Sequence, residues 1–216
     1  MSIQELWLLL PVLIISVGIL AVMIQASWKR SHFIAQGICL ITLFLALAAL
    51  IYQYPTDVKT ITILFEYEPI GGFFSLLLLM VGISVALLQG PYMGANSKEV
   101  AEEFYLLLLL SCLGAMLLVM SRHVGSVILS IELMSLSMLA ILAYNRERKI
   151  ALEGAMKFLL LSGATTSVLL MGFALLYASS GQMMLVDMLQ SPMGLMAKSG
   201  FVLVLAGLAF KLSLVP

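Results

Sequence analysis

The chain has 216 residues, of which 62% are hydrophobic and 10% are charged, and its mean hydropathy is +1.14. A soluble domain of this length does not carry so much apolar surface, so the sequence indicates a polytopic membrane protein. The formal net charge is zero and no basic block is present, which argues against a nucleic-acid-binding protein. The two cysteines and the two histidines are far apart along the chain, so we predict no disulfide, metal site or haem site.

Seven apolar segments are long enough to cross a bilayer, which needs about 20 residues per helix. The sequence therefore predicts an all-α bundle of about seven transmembrane helices, at approximately 6–27, 33–53, 70–90, 104–121, 124–144, 151–177 and 199–216. Glu5 stands where a signal peptide has basic residues, so we expect the first segment to be a retained helix. The fourth and fifth segments are almost contiguous, and we expect them to form a tight helical hairpin.

Lysine and arginine in the connections predict the orientation of the bundle. The connections after odd-numbered helices carry six basic residues, namely Lys29, Arg30, Lys98, Arg146, Arg148 and Lys149. The connections after even-numbered helices carry three, namely Lys59, Arg122 and Lys198. We therefore expect the odd connections to be cytoplasmic and the N-terminus to be periplasmic. The acidic residues of the first outer connection are expected to be solvated, and they are Asp57, Glu66 and Glu68.

Three charged side chains lie inside the predicted helices: Glu132 in the fifth, Lys157 in the sixth and Lys211 in the seventh. Each costs roughly 2.5–3.5 kcal/mol at a helix centre, so such residues are kept for structure or for transport. At about 1.5 Å per residue, Glu132 and Lys211 lie roughly 18 and 17 Å from the ends of their helices, near the membrane midplane. Lys157 lies about 9 Å from the cytoplasmic end of its helix.

Each of these charges has a structural interpretation beside a functional one. Glu132 is either an interhelical anchor or a titratable relay group. Lys157 follows Glu153 by four residues, an order that favours an ion pair within one helix, and it has the strongest case for a purely structural role. No acid lies within one turn of Lys211, so its partner must lie on another helix. Nearby hydroxyls could carry protons through water or hold helices together, and they are Ser130, Ser135, Ser137, Ser162, Thr165, Thr166 and Ser167.

The motifs around these charges resemble the antiporter-like subunits of respiratory complex I. Residues 130–136 (SIELMSL) are similar to the acidic fifth-helix motif, residues 152–164 to the sixth-helix lysine motif, and residues 207–216 to the seventh-helix lysine motif. The run Glu102-Glu103-Phe104-Tyr105 fits the opening of the fourth helix. The resemblance is specific from about Ala101 to the end, whereas residues 1–100 match mainly in the number and placement of helices.

The resemblance implies the N-terminal part of a 14-helix antiporter-like fold with inverted repeats. Residues 1–100 would form three N-terminal helices, and residues 101–216 the first half-channel with helices four to seven. Glu132 would pair with lysine, Lys157 would lie near the input side, and Lys211 would occupy the middle of the half-channel on a broken helix. The family motif continues past the proline that matches Pro216, so we expect the chain to lack the next lysine helix and the second repeat.

The function that the resemblance implies is proton translocation through a Glu/Lys relay, coupled to quinone reduction in other subunits. No cofactor is expected in this chain, since the whole complex uses NADH and quinone elsewhere. The expected partners are other membrane subunits, including neighbouring antiporter-like subunits, and lipids, in a bacterial inner membrane. The open alternatives are a subunit of a multi-subunit Na⁺/H⁺ antiporter or membrane-bound hydrogenase, and a non-conducting structural fragment.

Overall fold

The computed structural model describes residues 7–28, 31–54, 58–95, 101–144, 149–190 and 194–214, with the backbone alone at 59, 91–95 and 101. Several positions used in the predictions lie outside these ranges. They are Glu5, Lys29, Arg30, Asp57, Lys98, the basic turn at 145–148 and the terminal Pro216.

The described chain is helical almost throughout, as predicted. Its elements in order are α1 (Leu10–Trp28), α2 (His32–Tyr52), β1 (Lys59–Thr60), β2 (Glu66–Tyr67), α3 (Pro69–Ala95), α4 (Ala101–Val119), α5 (Val124–Leu142), α6 (Lys149–Ser180), α7 (Leu185–Gln190) and α8 (Leu195–Lys211). Within the described residues, α1 to α6 are long and apolar enough to cross a membrane. The seventh predicted segment corresponds to α8, which has 17 residues and begins four residues earlier than expected.

Helices α1 to α4 pack into one apolar core. Fully buried side chains from all four helices meet in it, among them Ile15, Leu43, Leu79 and Leu109. Many large apolar side chains on the outer faces are exposed, such as Leu88 at 76%, as expected for helices that face lipid or other membrane helices. Cys39 and Cys112 are free and buried, so they are small core residues, as predicted.

The predicted hairpin of α4 and α5 is held by a very close backbone approach at Gly114. A Cβ atom at this position would lie 2.9 Å from the backbone nitrogen of Met134 and 3.1 Å from the carbonyl oxygen of Ser130. Real Cβ atoms do not approach backbone this closely, so glycine is required here. Ser130 and Met134 lie two residues on either side of Glu132, so this contact fixes the segment of α5 that carries the acid.

Helix α8 runs antiparallel to α6, and glycines again set the distance between them. A Cβ atom on Gly172 would lie 2.7 Å from the backbone nitrogen of Val204 and 2.9 Å from the carbonyl oxygen of Gly200. Further along, Gly207 faces Leu169. Continuing this register by four residues brings the end of α8, at Lys211, beside the middle of α6.

The connections after α2, α4 and α6 are joined by backbone hydrogen bonds. Strands β1 and β2 form an antiparallel hairpin, and the amide of Arg122 donates to the carbonyl of Leu64 at 3.1 Å. The connection after α6 contacts the turn between α4 and α5 as well. The amide of Val124 donates to the carbonyl of Met183 at 3.0 Å, and the amide of Leu185 donates to the carbonyl of Arg122 at 3.0 Å. The turn between α4 and α5 is therefore held from both sides.

The prediction of a solvated acidic connection is wrong for Glu66. Its Oε2 lies 3.4 Å from Nη1 of Arg122, and only 19% of its side chain is exposed. The physical reason is that the hairpin folds back onto the turn between α4 and α5, where the guanidinium of Arg122 compensates the carboxylate. The two-residue strands and the short helix α7 were also not predicted.

Candidate functional site

Glu132 on α5 and Lys211 on α8 form an ion pair inside the bundle. The Nζ of Lys211 lies 3.3 Å from Oε1 of Glu132, and the side chains are 13% and 33% exposed respectively. The structure confirms the expectation that the partner of Lys211 lies on another helix. Both side chains are partly withdrawn from solvent, and each compensates the charge of the other.

All three hydrogens of the Lys211 ammonium have acceptors. Its Nζ donates to Glu132 Oε1 at 3.3 Å, to Ser135 Oγ at 2.9 Å and to Ser162 Oγ at 3.1 Å. A protonated lysine has three donors and no acceptor, so this set satisfies the charged form completely. One carboxylate balances the charge, and two hydroxyls, one from α5 and one from α6, complete the coordination.

Lys211 is the last residue of α8, and the backbone turns sharply after it. The amide of Leu214 donates to Ala209 O at 2.9 Å and the amide of Ser213 donates to Phe210 O at 2.9 Å. Ser213 has φ = 54°, in the left-handed region, and this combination is a Schellman stop. The helix therefore ends directly at the lysine, and the broken seventh helix that the resemblance implies stays a prediction. A cation also interacts favourably with the carbonyl end of a helix.

Glu132 has a second partner on α6. The hydroxyl of Thr166 donates to Glu132 Oε1 at 2.5 Å, and the same hydroxyl lies 3.0 Å from the carbonyl oxygen of Ser162. Glu132, Thr166, Ser162 and Lys211 thus form a closed ring of contacts that joins three helices. The neighbouring hydroxyls of α6 take no part in it, because Thr165 donates to Leu161 O and Ser167 to Gly163 O.

A cavity of about 50 Å³ adjoins the pair between α5 and α6. It is lined by Glu132, Ser135, Leu136, Leu139, Phe158, Leu159, Ser162 and Gly163. A buried water needs about 10–15 Å³ and two to four polar partners, so the cavity can hold a few waters at its polar end. In the described part of the chain, the hydroxyl hydrogens of Ser135 and Ser162 are donated to no protein atom, which leaves them for such water.

Lys157 lies away from the Glu132–Lys211 pair and contacts Glu153 instead. Its Nζ lies 2.6 Å from Oε1 of Glu153, and the two side chains are 69% and 66% exposed. The reason is helical geometry: nine residues separate Lys157 from Thr166, and nine residues are two and a half turns at 3.6 residues per turn. The two side chains therefore point to opposite faces of α6. The role of Lys157 in a relay stays a prediction, and its contact with Glu153 is the structural alternative weighed for it.

His123, at the other end of α5, has a local structural role. Its Nδ1 accepts a hydrogen bond from the amide of Gly125 at 3.0 Å, so it caps the start of the helix. Within the described ranges, no group of three or more His, Cys, Asp and Glu side chains could hold a metal ion.

Part of the chain matches a known protein family, and its fold matches that of solved membrane-complex structures. Residues 121–216 match the family model described as NADH:quinone oxidoreductase/Mrp antiporter, transmembrane. A chain of respiratory complex I from Thermus thermophilus is 26% identical, with a TM-score of 0.81 over 95% of this chain and 44% of that one.

Two further solved structures share the fold at lower identity. A chain of the archaeal membrane-bound sulfane sulfur reductase is 21% identical, with a TM-score of 0.78 over 95% of this chain and 44% of that one. A chain of the Mrp complex from a Dietzia species is 15% identical, with a TM-score of 0.79 over 100% of this chain and 42% of that one. This chain therefore spans less than half of the length of each of these three solved chains.

Proposed function

We propose that the chain is an antiporter-like membrane subunit of the NADH:quinone oxidoreductase/Mrp antiporter family, which the match of residues 121–216 and the likeness to the Thermus thermophilus chain support. We propose further that its Glu132–Lys211 pair carries protons through the membrane. The observation that carries the proposal is the pair itself: a carboxylate and an ammonium 3.3 Å apart inside the bundle.

The site can accommodate both protonation states of Lys211. In the ammonium form, Ser135 and Ser162 accept hydrogen bonds from Nζ. In the amine form, Nζ has a lone pair, and either hydroxyl can turn to donate its own hydrogen to it. No buried polar group loses its partner in the exchange, so the penalty for an unsatisfied buried group is avoided. A lysine held in this way is suited to repeated gain and loss of a proton.

The chemistry of the pair favours a proton over a sodium ion. Sodium binding needs several oxygen ligands and no competing cation, but the ammonium of Lys211 occupies the oxygens of Glu132, Ser135 and Ser162. An ammonium cannot coordinate a metal cation, because it has no free lone pair. The transported species in this half of the path is therefore a proton.

For the assembly, we propose that the chain is a membrane subunit of a bacterial proton-translocating NADH:quinone oxidoreductase and corresponds to its subunit N. Other subunits would carry out the NADH and quinone chemistry, and neighbouring antiporter-like subunits would be the partners in the inner membrane. The N-terminus would face the periplasm. This proposal is supported by the sixth- and seventh-helix lysine motifs and by the 26% identity with the Thermus thermophilus chain.

The second candidate is a subunit of a multi-subunit Na⁺/H⁺ antiporter, which the likeness to the Mrp chain over 100% of this chain supports. The two assemblies differ in what they contain. Affinity purification of the native protein, followed by mass spectrometry, should recover NADH- and quinone-binding subunits in the first case. Recovery of antiporter subunits without any NADH-oxidising subunit would overturn the complex I assignment and leave the proton path itself standing.

The transport proposal is tested by neutral substitutions in the native assembly. Glu132→Gln and Lys211→Met should each abolish or sharply reduce proton uptake by inverted membrane vesicles. Matched controls are Glu103→Gln on α4 and Lys198→Met on α8, whose side chains are exposed and lie outside the pair. Proton uptake at the wild-type rate with both Glu132 and Lys211 replaced would refute the proposal, provided that immunoblotting shows an intact assembly.

Lys157 is tested in the same vesicles. A relay role predicts that Lys157→Met reduces proton uptake as strongly as Lys211→Met does. A structural role in the exposed pair with Glu153 predicts a small effect, since exposed i, i+4 pairs contribute only about 0.3–0.5 kcal/mol.

A further inference from the structure

The hydroxyl of Thr166 has one hydrogen and two acceptors in reach. Glu132 Oε1 lies 2.5 Å from Thr166 Oγ1, and the carbonyl oxygen of Ser162 lies 3.0 Å from it. A hydroxyl donates one strong hydrogen bond at a time and accepts through its lone pairs. Its hydrogen must therefore be directed to one of these oxygens, and the charge on Glu132 decides which.

We propose that Thr166 is a hydroxyl switch that positions Glu132 in both of its protonation states. The inference rests on the proposed proton path and gives a specific role to Thr166, which the sequence analysis named only as one of seven nearby hydroxyls. Thr166 acts through Glu132, so it is a positioning residue.

In the first state, Glu132 is a carboxylate and Lys211 is an ammonium. Thr166 donates its hydrogen to Glu132 Oε1, the contact seen at 2.5 Å. Hydrogen bonds to an ionised acceptor are short and strong, which agrees with this distance. The carbonyl oxygen of Ser162 is not left without a hydrogen bond, because a carbonyl inside a helix already accepts one from a backbone amide.

In the second state, one proton has moved from Lys211 to Glu132. The Nζ–H bond breaks and an Oε1–H bond forms, so the ammonium and the carboxylate become an amine and a carboxylic acid with no change in net charge. The new O–H donates to the lone pair of Thr166 Oγ1. The hydrogen of Thr166 then turns to the carbonyl oxygen of Ser162, which is already 3.0 Å away. The carboxyl group keeps its place while the direction of the hydrogen bond reverses.

The surroundings of Glu132 show why the switch is placed on α6. The charged group in contact with Glu132 is Lys211 on α8, while α4 approaches this part of α5 closely at the backbone of Gly114. Helix α6 supplies the hydroxyl groups, and Thr166 is the one that touches the carboxylate. Among the described residues, Thr166 is the α6 side chain in direct hydrogen-bond contact with Glu132, so it is the acceptor already in place for a protonated carboxyl.

Thr165 provides an internal control for any substitution. It is the adjacent residue on the same helix, it is buried, and its hydroxyl donates to Leu161 O at 2.7 Å. Thr165 and Thr166 thus have the same side chain and lie on the same helix, and the hydroxyl of each is within hydrogen-bond distance of a carbonyl one turn earlier in that helix. They differ in the contact with Glu132.

The experiment compares Thr166→Val, Thr166→Ser and Thr165→Val in the native assembly in membrane vesicles. We expect Thr166→Val to lower the rate of proton uptake by roughly tenfold or more, the scale for a lost hydrogen bond to a charged group. Thr166→Ser keeps the hydroxyl and should restore the rate, while Thr165→Val should leave it near that of the wild type. Infrared difference spectra, with the carboxyl band assigned through Glu132→Gln, should show a shifted C=O stretch in Thr166→Val and an unshifted one in Thr165→Val.

Two results would overturn the inference. One is a rate and a C=O stretch in Thr166→Val that match those of Thr165→Val, while Glu132→Gln still abolishes uptake; the switch then fails and the proton path stands. The other is unchanged uptake in Glu132→Gln, which removes the path on which the switch depends. If Thr166→Val does not assemble, Thr166→Ala removes the same hydroxyl with less bulk, and the same comparison applies.

Discussion

Lys211 Nζ lies 3.3 Å from Glu132 Oε1, although 79 positions separate the two residues in the sequence. Two glycine contacts make this possible. Gly114 lets α4 and α5 approach around Glu132, and Gly172 lets α8 lie directly against α6. The ion pair therefore depends on backbone packing some distance from the charges themselves.

Breaking the ion pair should destabilise the protein more than removing it entirely. Loss of one partner of a buried pair costs about 3–5 kcal/mol, because an uncompensated charge remains. Glu132→Ala and Lys211→Ala should each approach this range, reduced by the partial exposure of Glu132. The double variant should cost clearly less than the sum of the two.

A double-mutant cycle on the free energy of unfolding, measured by denaturant titration in lipid bicelles, gives the coupling directly. Additive single effects would mean that the two groups do not interact energetically, despite their distance. Lys198→Ala, combined with Glu132→Ala, serves as the uncoupled reference, because Lys198 is exposed at the other end of α8.

Much of this arrangement could be predicted from local patterns in the sequence. Apolar runs predicted the helices, and the isolation of Lys211 from any nearby acid predicted a partner on another helix. Helical periodicity would also have placed Lys157 opposite Thr166, because a separation of nine residues reverses the face. Only the structure shows that the face of α6 with Thr166 is the one that meets the ion pair.

Other features depend on contacts between distant parts of the chain, which a local pattern cannot contain. Glu66 lies in a polar segment whose composition is typical of a solvated loop. It forms an ion pair with Arg122 only because the hairpin folds onto the turn between α4 and α5. Likewise, several hydroxyls follow Glu132 and Lys157, but the register of α6 against α5 and α8 selects Ser135, Ser162 and Thr166. The Schellman stop could not be predicted from the sequence, because the left-handed position is occupied by Ser213 and not by the usual glycine.

Substitution of Gly172 should displace α8 and weaken the site from a distance. A Cβ atom there would lie 2.7 Å from the backbone nitrogen of Val204, and backbone cannot move aside as a side chain can. We expect Gly172→Ala to cost about 1–3 kcal/mol, the usual range for overpacking. Unfolding in bicelles measures this cost, and proton uptake in vesicles should fall with it.

Gly154→Ala is the matched control for Gly172→Ala. Both residues lie on α6, but a Cβ atom at Gly154 meets no atom within 4 Å. Alanine is the better helix former by about 0.8–1.0 kcal/mol, so the control should be neutral or slightly stabilising. Equal effects of the two substitutions would show that close packing of α6 and α8 is not what Gly172 provides.

Filling the cavity beside Glu132 should slow proton uptake without unfolding the protein. Gly163 lines the cavity, and a Cβ atom there would meet no atom within 4 Å. Gly163→Leu should occupy the space and displace water from the hydroxyls of Ser135 and Ser162. We expect a decrease of about tenfold, which corresponds to ~1.4 kcal/mol in the barrier.

The size series at Gly163 separates volume from helix propensity. Gly163→Ala adds one methyl group and should keep most of the activity, and Gly154→Leu adds the same bulk outside the cavity. A rate that does not fall from alanine to leucine at position 163, or one that falls equally at position 154, would show that the cavity has no part in proton movement.

Tyr67 should make the stability of the protein depend on pH in the alkaline range. Its side chain is fully buried in the hairpin of β1 and β2. Burial, with a smaller effect of the nearby Tyr54, raises the pKa of Tyr67 from its ordinary value of 10.0 to about 12. The unfolded chain therefore releases this proton at lower pH than the folded protein does. The stability that the neutral phenol contributes is complete below pH 10 and is lost as the pH rises from about 10 to about 12.

Tyr67→Phe isolates this contribution. Within the described part of the chain, the hydroxyl of Tyr67 is buried without a hydrogen-bond partner, so its removal should be neutral or mildly stabilising at pH 8. Between pH 10 and 12, the free energy of unfolding of the wild type should fall more steeply than that of Tyr67→Phe. Because Tyr54 donates to the carbonyl of Pro69 at the surface, Tyr54→Phe should leave most of this difference in place. Parallel pH curves for the wild type and Tyr67→Phe would show that the phenol of Tyr67 is not protected by burial.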